Sequence, residues 1–254
     1  MIRLLSYNIH KGIGWHDRRY DLERVRRVID EQQADLICLQ EVTYRARRTD
    51  YHDQPRMLAE YFEARAFNFQ MNVHYRKGGY GNLILSRWPF HIEHHVSLRL
   101  GWRKPRGAQL VVVNTPHGDL HLANWHLGLR EKERHWQVDH LLRHSLFRKS
   151  SDLPTMIVGD FNDWRDTLAD GPFTRHSFEH ATGPTSNFRS FPAYLSLFSL
   201  DKAFHRGGVA VRDARLVRTP LARLASDHLP LVIDFNLSQP HRRRSEIDRS
   251  LRTG

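Results

Sequence analysis

Five apolar segments of the chain each carry an acid, an amide or an imidazole at one end, and this arrangement constrains the fold more than any other feature. The clearest is Thr155-Met156-Ile157-Val158-Gly159-Asp160-Phe161-Asn162, where an apolar run delivers a carboxylate and an amide. The others are Leu4-Leu5-Ser6-Tyr7-Asn8, Leu36-Ile37-Cys38-Leu39-Gln40-Glu41, Leu120-His121-Leu122-Ala123-Asn124-Trp125-His126, and Ser226-Asp227-His228 ahead of Leu229-Pro230-Leu231-Val232-Ile233. Short apolar runs of this kind read as buried strands. If their polar ends meet, they frame a pocket able to hold a hard cation and activate a water, the requirements for hydrolysing a phosphate ester.

Helices fill the intervals. Leu22, Val25, Val28 and Ile29 fall on one face of a helix expected over 20–33, with Asp21 placed to cap it. A second helix is expected over 54–64 and a single long one over 130–148, with Trp136, Leu141, Leu142 and Leu146 among its apolar positions. Strands are expected at 2–10, 35–40, 67–73, 82–86, 108–115, 120–125, 155–158, 200–204, 209–217 and 231–235, and Pro116-His117-Gly118-Asp119 marks a hairpin. Crossover helices together with a tight hairpin require mixed sheets. Two such sheets packed together, with helices outside, would bury the apolar runs, which places the chain in the α/β class. No Pro/Gly/Ser-rich linker divides the sequence, so one domain is expected over 1–237, followed by a basic tail, 238–254, expected to be disordered.

Composition closes off several alternatives. Cys38 is the only cysteine, which rules out intrachain disulfides and thiolate zinc clusters. No run approaches the roughly 18 apolar residues of a membrane helix. Only Ile2, Leu4 and Leu5 precede Asn8, too little for a cleavable leader, and a cytoplasmic monomer is the expectation. The formal charge is +11; five Arg against Glu246 and Asp248 give the tail +3 and leave +8 to the body. A basic body suits a polyanionic partner, either nucleic acid or an acidic lipid surface with which it would associate peripherally.

The polar ends sort by chemistry. Glu41 is the best candidate ligand for a divalent cation, since Mg²⁺ commonly takes only one or two protein carboxylates, and Asn8 is placed to fix that carboxylate or join the metal shell. Asp160 can orient or deprotonate the attacking water, and Asn162 can donate its amide to a phosphate oxygen. His228 has an adjacent acid, Asp227, and a more distant one, Asp201; a carboxylate bonded to imidazole favours its charged form. Asn124 and His126 share one face of their strand, and Arg106 can clamp a phosphate. Taken singly, each has a bland reading: Glu41 as a surface charge, Gly159 to Asn162 as a turn, His228 as a satisfied structural imidazole.

Other motifs lose on inspection. His140 and His144 have the spacing of a helical zinc pair, but Leu141 stands where a zincin needs its glutamate. There is no Gly-x-Ser-x-Gly elbow and no Gly-x-x-x-x-Gly-Lys loop, and Lys77-Gly78-Gly79-Tyr80-Gly81 reads as a turn entering a strand.

Taken together, Ser6-Tyr7-Asn8-Ile9-His10, Leu39-Gln40-Glu41-Val42, Asn124-Trp125-His126-Leu127, Gly159-Asp160-Phe161-Asn162, Leu200-Asp201 and Ser226-Asp227-His228 resemble the endonuclease/exonuclease/phosphatase superfamily, in the correct order over roughly residues 2–236. The resemblance implies a four-layered α/β sandwich and a phosphohydrolase dependent on Mg²⁺ or Mn²⁺. It assigns Glu41 and Asn8 to the metal, with Asp227 nearby, and Asp160 to the nucleophilic water. Asn162 and His126 would contact the phosphate, and Asp201 would orient His228. Asn124, Arg106 and His10 are further candidates on the substrate side. Two departures stand out: His10 occupies a position where some nuclease relatives carry an acid, and no acid near Asn82 plainly partners His126. The opening motif and Pro105-Arg106-Gly107-Ala108 look more like a bacterial branch of uncharacterised and lipid-associated members than like abasic-site endonucleases.

Within that class the substrate is nucleic acid or a phospholipid headgroup; outside it, a non-catalytic polyanion-binding module is the competing reading. The apolar stretch Phe188, Phe191, Tyr194, Leu195, Leu197 and Phe198 is expected to pack in the core or line the cleft rather than touch a membrane.

Overall fold

Side chains in a strand point alternately to opposite faces, and here that period divides the apolar runs between separate clusters. The computed structural model describes residues 1–238. In β1 (Ile2–Asn8) and β2 (Leu36–Tyr44), Leu5, Tyr7, Ile37 and Leu39 pack with Val25, Val28 and Ile29 of α1 (Leu22–Asp30), Leu58 of α2 (Gln54–Tyr61), and Ala222 and Ala225 of α5 (Pro220–Ala225). Their neighbours Ile2, Leu4, Leu36 and Cys38 instead join Val111, Leu122, Met156 and Val158, which belong to β6 (Gly107–Thr115), β7 (Gly118–His126) and β8 (Thr155–Asp160) of a second sheet. The outer face of that sheet, with Leu110, Ala123, Trp125 and Ile157, packs on α3 (Glu131–Arg143) through Val138, Leu141 and Leu142 and on α4 (Ser145–Arg148) through Phe147. The result is the four-layered α/β sandwich, helix–sheet–sheet–helix.

The remaining strands are β3 (Ala66–His74), β4 (Gly79–Ser86), β5 (Phe90–Ser97), β9 (Glu179–His180), β10 (Asp201–Arg206), β11 (Val209–Leu216) and β12 (Leu231–Leu237). They complete two six-stranded mixed sheets, ordered β11-β12-β1-β2-β4-β3 and β5-β6-β7-β8-β10-β9. Each sheet has one parallel pair, β1 with β2 and β7 with β8, at its centre. Parallel partners end together, so Asn8 lies opposite Gln40 and His126 opposite Asp160. Antiparallel partners begin where these end: Asp201 pairs with Asp160, and Leu231 pairs with Ser6, which leaves His228 just beyond the same edge. The topology alone brings the polar ends together.

Several expected boundaries shift, three of them with a clear backbone cause. Strand β1 stops at Asn8, because His10 and Lys11 take left-handed φ values of 44° and 66°. Strand β2 continues past Gln40 through a bulge at Glu41, φ 57°, where the pairing with β4 slips; a bulge re-aims its side chain. The helix expected over 130–148 is two, broken at His144, whose extended backbone (ψ 136°) lets its Nδ1 accept from the Leu146 N–H at 3.3 Å. Strands β5 and β9 and helix α5 lie outside the expected elements: β5 is a partly exposed edge diluted by three histidines, β9 has only two residues, and α5 is a short turn capped by Thr219 and opened by Pro220. The tail 239–254 lies outside the described residues.

Burial of imidazole makes this fold sensitive to acid. His121, buried against the Phe147 ring (centroids 4.9 Å apart), is pushed down to about 4, mainly by desolvation. The unfolded chain therefore takes up this proton first, and stability falls as pH drops from about 6.5 through about 4. The loss is on the order of 3 kcal/mol from this group. Urea unfolding across that window should show a shallower pH dependence in His121→Leu protein; an unchanged slope would contradict the assignment.

Candidate active site

Asp160 is delivered to the edge by a strand in which only glycine can precede it: Gly159 has φ 141°, and a Cβ there would lie 2.1 Å from the Trp125 carbonyl oxygen. Rather than turning the chain, this glycine lets β8 pass close to β7 up to its last residue. The buried Asp160 carboxylate spans the seam between the sheets. Its Oδ2 accepts from Asn8 Nδ2 at 2.9 Å, and its Oδ1 accepts from the Asn162 backbone N–H at 2.9 Å. His126 Nε2 lies 3.3 Å and His228 Nε2 3.7 Å from Oδ2.

His228 is held from behind. Its Nδ1 donates to Asp201 Oδ2 at 2.7 Å, while Ser226 Oγ donates to the Asn8 carbonyl at 2.7 Å and accepts from the His228 N–H at 3.3 Å. Serine 226 thus ties the loop before β12 to the end of β1. Burial alone would lower the imidazole pKa, but Asp201 and Asp160 outweigh it and push it up to about 10. Burial pushes Asp160 up to about 6, opposed by His228 and by the hydrogen bonds from Asn8 and Asn162. At neutral pH the cluster therefore pairs an imidazolium with a carboxylate that is still a proton acceptor. His126 is driven the other way, well below the usual imidazole range, by desolvation and by Arg106, His228 and Lys104, and stays neutral.

Glu41 lines a small cavity with His126, Arg106, Tyr80 and Asn82, and His126 links that cavity to the Asp160 cluster. Burial would raise its pKa, but Lys11, whose ammonium bonds its carboxylate, keeps it below the ordinary value and ionised. Asn82 and His126 share that lining with Glu41, but the carboxylate in direct contact with His126 is Asp160, 3.3 Å from its Nε2. Arg106 is buried with its Nε lacking a hydrogen-bond partner, an unsatisfied donor beside the cavity that suits an anionic ligand. Asp227 Oδ1 lies 3.3 Å from Ser226 Oγ, whose proton goes to the closer Asn8 carbonyl, and 3.9 Å from His10 Nδ1. His10 Nδ1 is 2.9 Å from the Ile13 carbonyl and its backbone N–H donates to Asn8 Oδ1 at 3.1 Å, so it buttresses the Asn8 turn. Asn162 donates Nδ2 to the Leu127 carbonyl at 3.0 Å.

Asn124, expected on the substrate side, is not there. It is fully buried in the sandwich, where its Oδ1 accepts from Gln40 Nε2 at 2.8 Å and its Nδ2 reaches the Leu39 carbonyl and Gln109 Oε1 at 3.1 and 3.0 Å. The amide stitches the two sheets beneath the site. The pleat explains the error: two residues back on the same strand face is also one step deeper into the seam. The sequence alone assigns no role to Lys11 or Ser226, although Ser226 opens the last motif and Lys11 directly follows the first. Among the described residues, no three His, Cys, Asp or Glu side chains are placed to hold a metal by themselves.

Comparison with known proteins agrees with this geometry. Residues 5–228 match the model of the Endonuclease/Exonuclease/phosphatase family. The chain is 30% identical over 252 residues to the uncharacterised protein YbhP of Escherichia coli K12, covering 92% of this chain and 96% of that one. Among solved structures it resembles an endonuclease/exonuclease/phosphatase from Beutenbergia cavernae (TM-score 0.79, 21% identity, 93% of this chain and 72% of that one). It also resembles a mannosyl-6-phosphatase from Bacteroides thetaiotaomicron (TM-score 0.71, 14% identity, 92% and 99%). With its motifs gathered at one edge of a four-layered sandwich, the chain belongs to the endonuclease/exonuclease/phosphatase family, hydrolases of phosphate esters.

Proposed function

We propose that this hydrolase is a divalent-metal-dependent phosphodiesterase in which water attacks phosphorus directly, with no protein–phosphate intermediate. The observation that carries the reading is the buried Asp160 carboxylate, bonded by Asn8 and faced by both His126 and His228.

The donor set fits a hard cation. Glu41, Asn8 and Asp227 all offer oxygen, and the ionised Glu41 already takes an ammonium as its counter-charge. The family is generally divalent-metal dependent, and Mg²⁺ or Mn²⁺ suits a site with few carboxylates. When bound by Glu41 and Asn8, the ion would polarise a phosphate oxygen and neutralise charge that builds there. The protein's own groups do the rest. Asp160 accepts the proton of the attacking water as the new P–O bond forms and the ester P–O bond breaks, its electron pair leaving with the alkoxide. His228, cationic and fixed by Asp201, stabilises the negative charge on phosphorus oxygens, and Asn162, His126 and Arg106 supply further donors.

Chelation with EDTA is expected to abolish turnover of bis-p-nitrophenyl phosphate, with Mg²⁺ or Mn²⁺ restoring it. Glu41→Gln protein should show no calorimetric heat of metal binding under conditions where wild type does. Turnover that persists in chelator, or steeply salt-dependent polyanion binding without any metal binding, would refute the reading.

A further inference from the structure

Beside the catalytic cluster the chain holds apolar side chains out in solvent. Tyr194 is 73% exposed, Leu195 60%, Leu197 51% and Phe198 39%, so the stretch expected to pack in the core or line the cleft does so only through Phe188 and, in part, Phe191. Trp164, 40% exposed, packs edge-on against Phe191 and Phe198 with centroids 5.6 and 4.9 Å apart, and Trp15, 37% exposed, meets Phe191 at 6.5 Å. The Phe191 ring in turn lies 4.9 Å from the His228 imidazole. The ledge is continuous with the site.

This loop is also stiff. Phe191 and Phe198 exchange backbone hydrogen bonds of 3.0 and 2.7 Å, and the Leu195 and Ser196 N–H groups return to the Pro192 carbonyl. Arg223 Nη1 donates to the Ala193 and Tyr194 carbonyls at 2.7 and 2.9 Å, and Arg218 reaches Ser196 Oγ and the Asn187 carbonyl at 3.2 Å each. The apolar tips are therefore presented in advance, with little ordering left to oppose binding.

Charge identifies the occupant. From Ala181 to Leu200 the only formally charged residue is Arg189, which is exposed. Exposed Arg18 stacks over Trp15 at 4.8 Å, exposed Arg165 adjoins Trp164, and Arg218 sits at the loop base. Exposed leucines, indoles and a phenol on one ledge, with arginines around it and no carboxylate in the loop, match the acyl, interfacial and headgroup chemistry of an anionic bilayer. Nucleic acid fits less well, because Leu195 and Leu197 give a base nothing to stack on.

We infer that the ledge of Trp15, Trp164, Tyr194, Leu195, Leu197 and Phe198 docks the protein on an acidic phospholipid surface, so that the substrate is a headgroup phosphodiester presented to Asp160 and His228 from the membrane. The substrate class rests on the phosphodiesterase reading; the docking does not. The test is sedimentation with phosphatidylcholine vesicles, with and without phosphatidylglycerol, comparing wild type with Leu195→Ser/Leu197→Ser protein. Wild type should bind the phosphatidylglycerol vesicles and release them with salt. The double variant should bind at least about tenfold more weakly, while its thermal midpoint and its turnover of soluble bis-p-nitrophenyl phosphate stay unchanged. Equal binding by both proteins would overturn the docking surface. So would absence of vesicle binding, whether the variant then loses DNA binding or loses a self-associated dimer. If vesicles bind but headgroup diesters are not cleaved while the soluble diester is, docking stands and the substrate assignment falls.

Discussion

Asp160→Asn protein is expected to lose about 10² to 10⁴-fold of its phosphodiesterase turnover while remaining folded. The substitution keeps shape but removes the proton acceptor. It also leaves one oxygen where two were in use: Oδ1 takes the Asn162 N–H and Oδ2 takes the Asn8 amide, and an asparagine can answer only one of them as an acceptor. Some loss of stability follows, on the order of 1–3 kcal/mol, readable by urea unfolding and separable from the larger effect on turnover. Asp160 is pushed up to about 6, so wild-type kcat/KM should rise with pH through that region as the carboxylate becomes free to accept a proton. The same acid limb should vanish in the variant. Retention of activity within about tenfold of wild type would remove Asp160 from the proton transfer.

His228→Ala should be comparably damaging, and Asp201→Asn tells why. In wild type, His228 is pushed up to about 10, with Asp201 the largest of the groups that raise it. Its cationic form is thus favoured in the folded state below that value, and the stability this pairing contributes is fully present below about 6.5 and lost as pH rises through about 10. Replacing Asp201 with Asn leaves Nδ1 a partner but removes the charge, so the basic limb of kcat/KM should move down toward neutral pH and the alkaline loss of stability should flatten. Turnover of Asp201→Asn should therefore approach wild type at acidic pH and fall behind it as pH rises. A loss uniform across pH would make Asp201 a packing residue rather than one that acts through His228.

Much of the site was legible because chemistry and strand grammar coincide. Asp160, His228, Asp201, Asn8 and His126 were each marked by an apolar run on one side, and all meet through contacts of 3.7 Å or less. Glu41 was marked the same way, but its aim depends on a bulge with φ 57° that no alternation pattern encodes. Asn124 carried the same mark and proved structural, since an amide at a seam and an amide at an edge have identical local sequence. The segment 188–198 failed for a related reason. Its hydrophobicity is the signature of a core, and the cross-bridge between Phe191 and Phe198, with Arg223 holding the Ala193 and Tyr194 carbonyls, turns it outward.

By itself, then, the order of apolar runs and polar ends determined a mixed α/β sandwich and which polar residues are candidates for its site, because burial and side-chain period act over a few residues and are written locally. Tertiary structure alone decided which polar groups touch, since the Asp160–Asn8 bond joins residues 152 positions apart across two sheets. It also decided the charge states, because the opposite shifts of His228 and His126 arise from neighbours that packing supplies. Electrostatics reads distance in space, and the chain records only distance along itself.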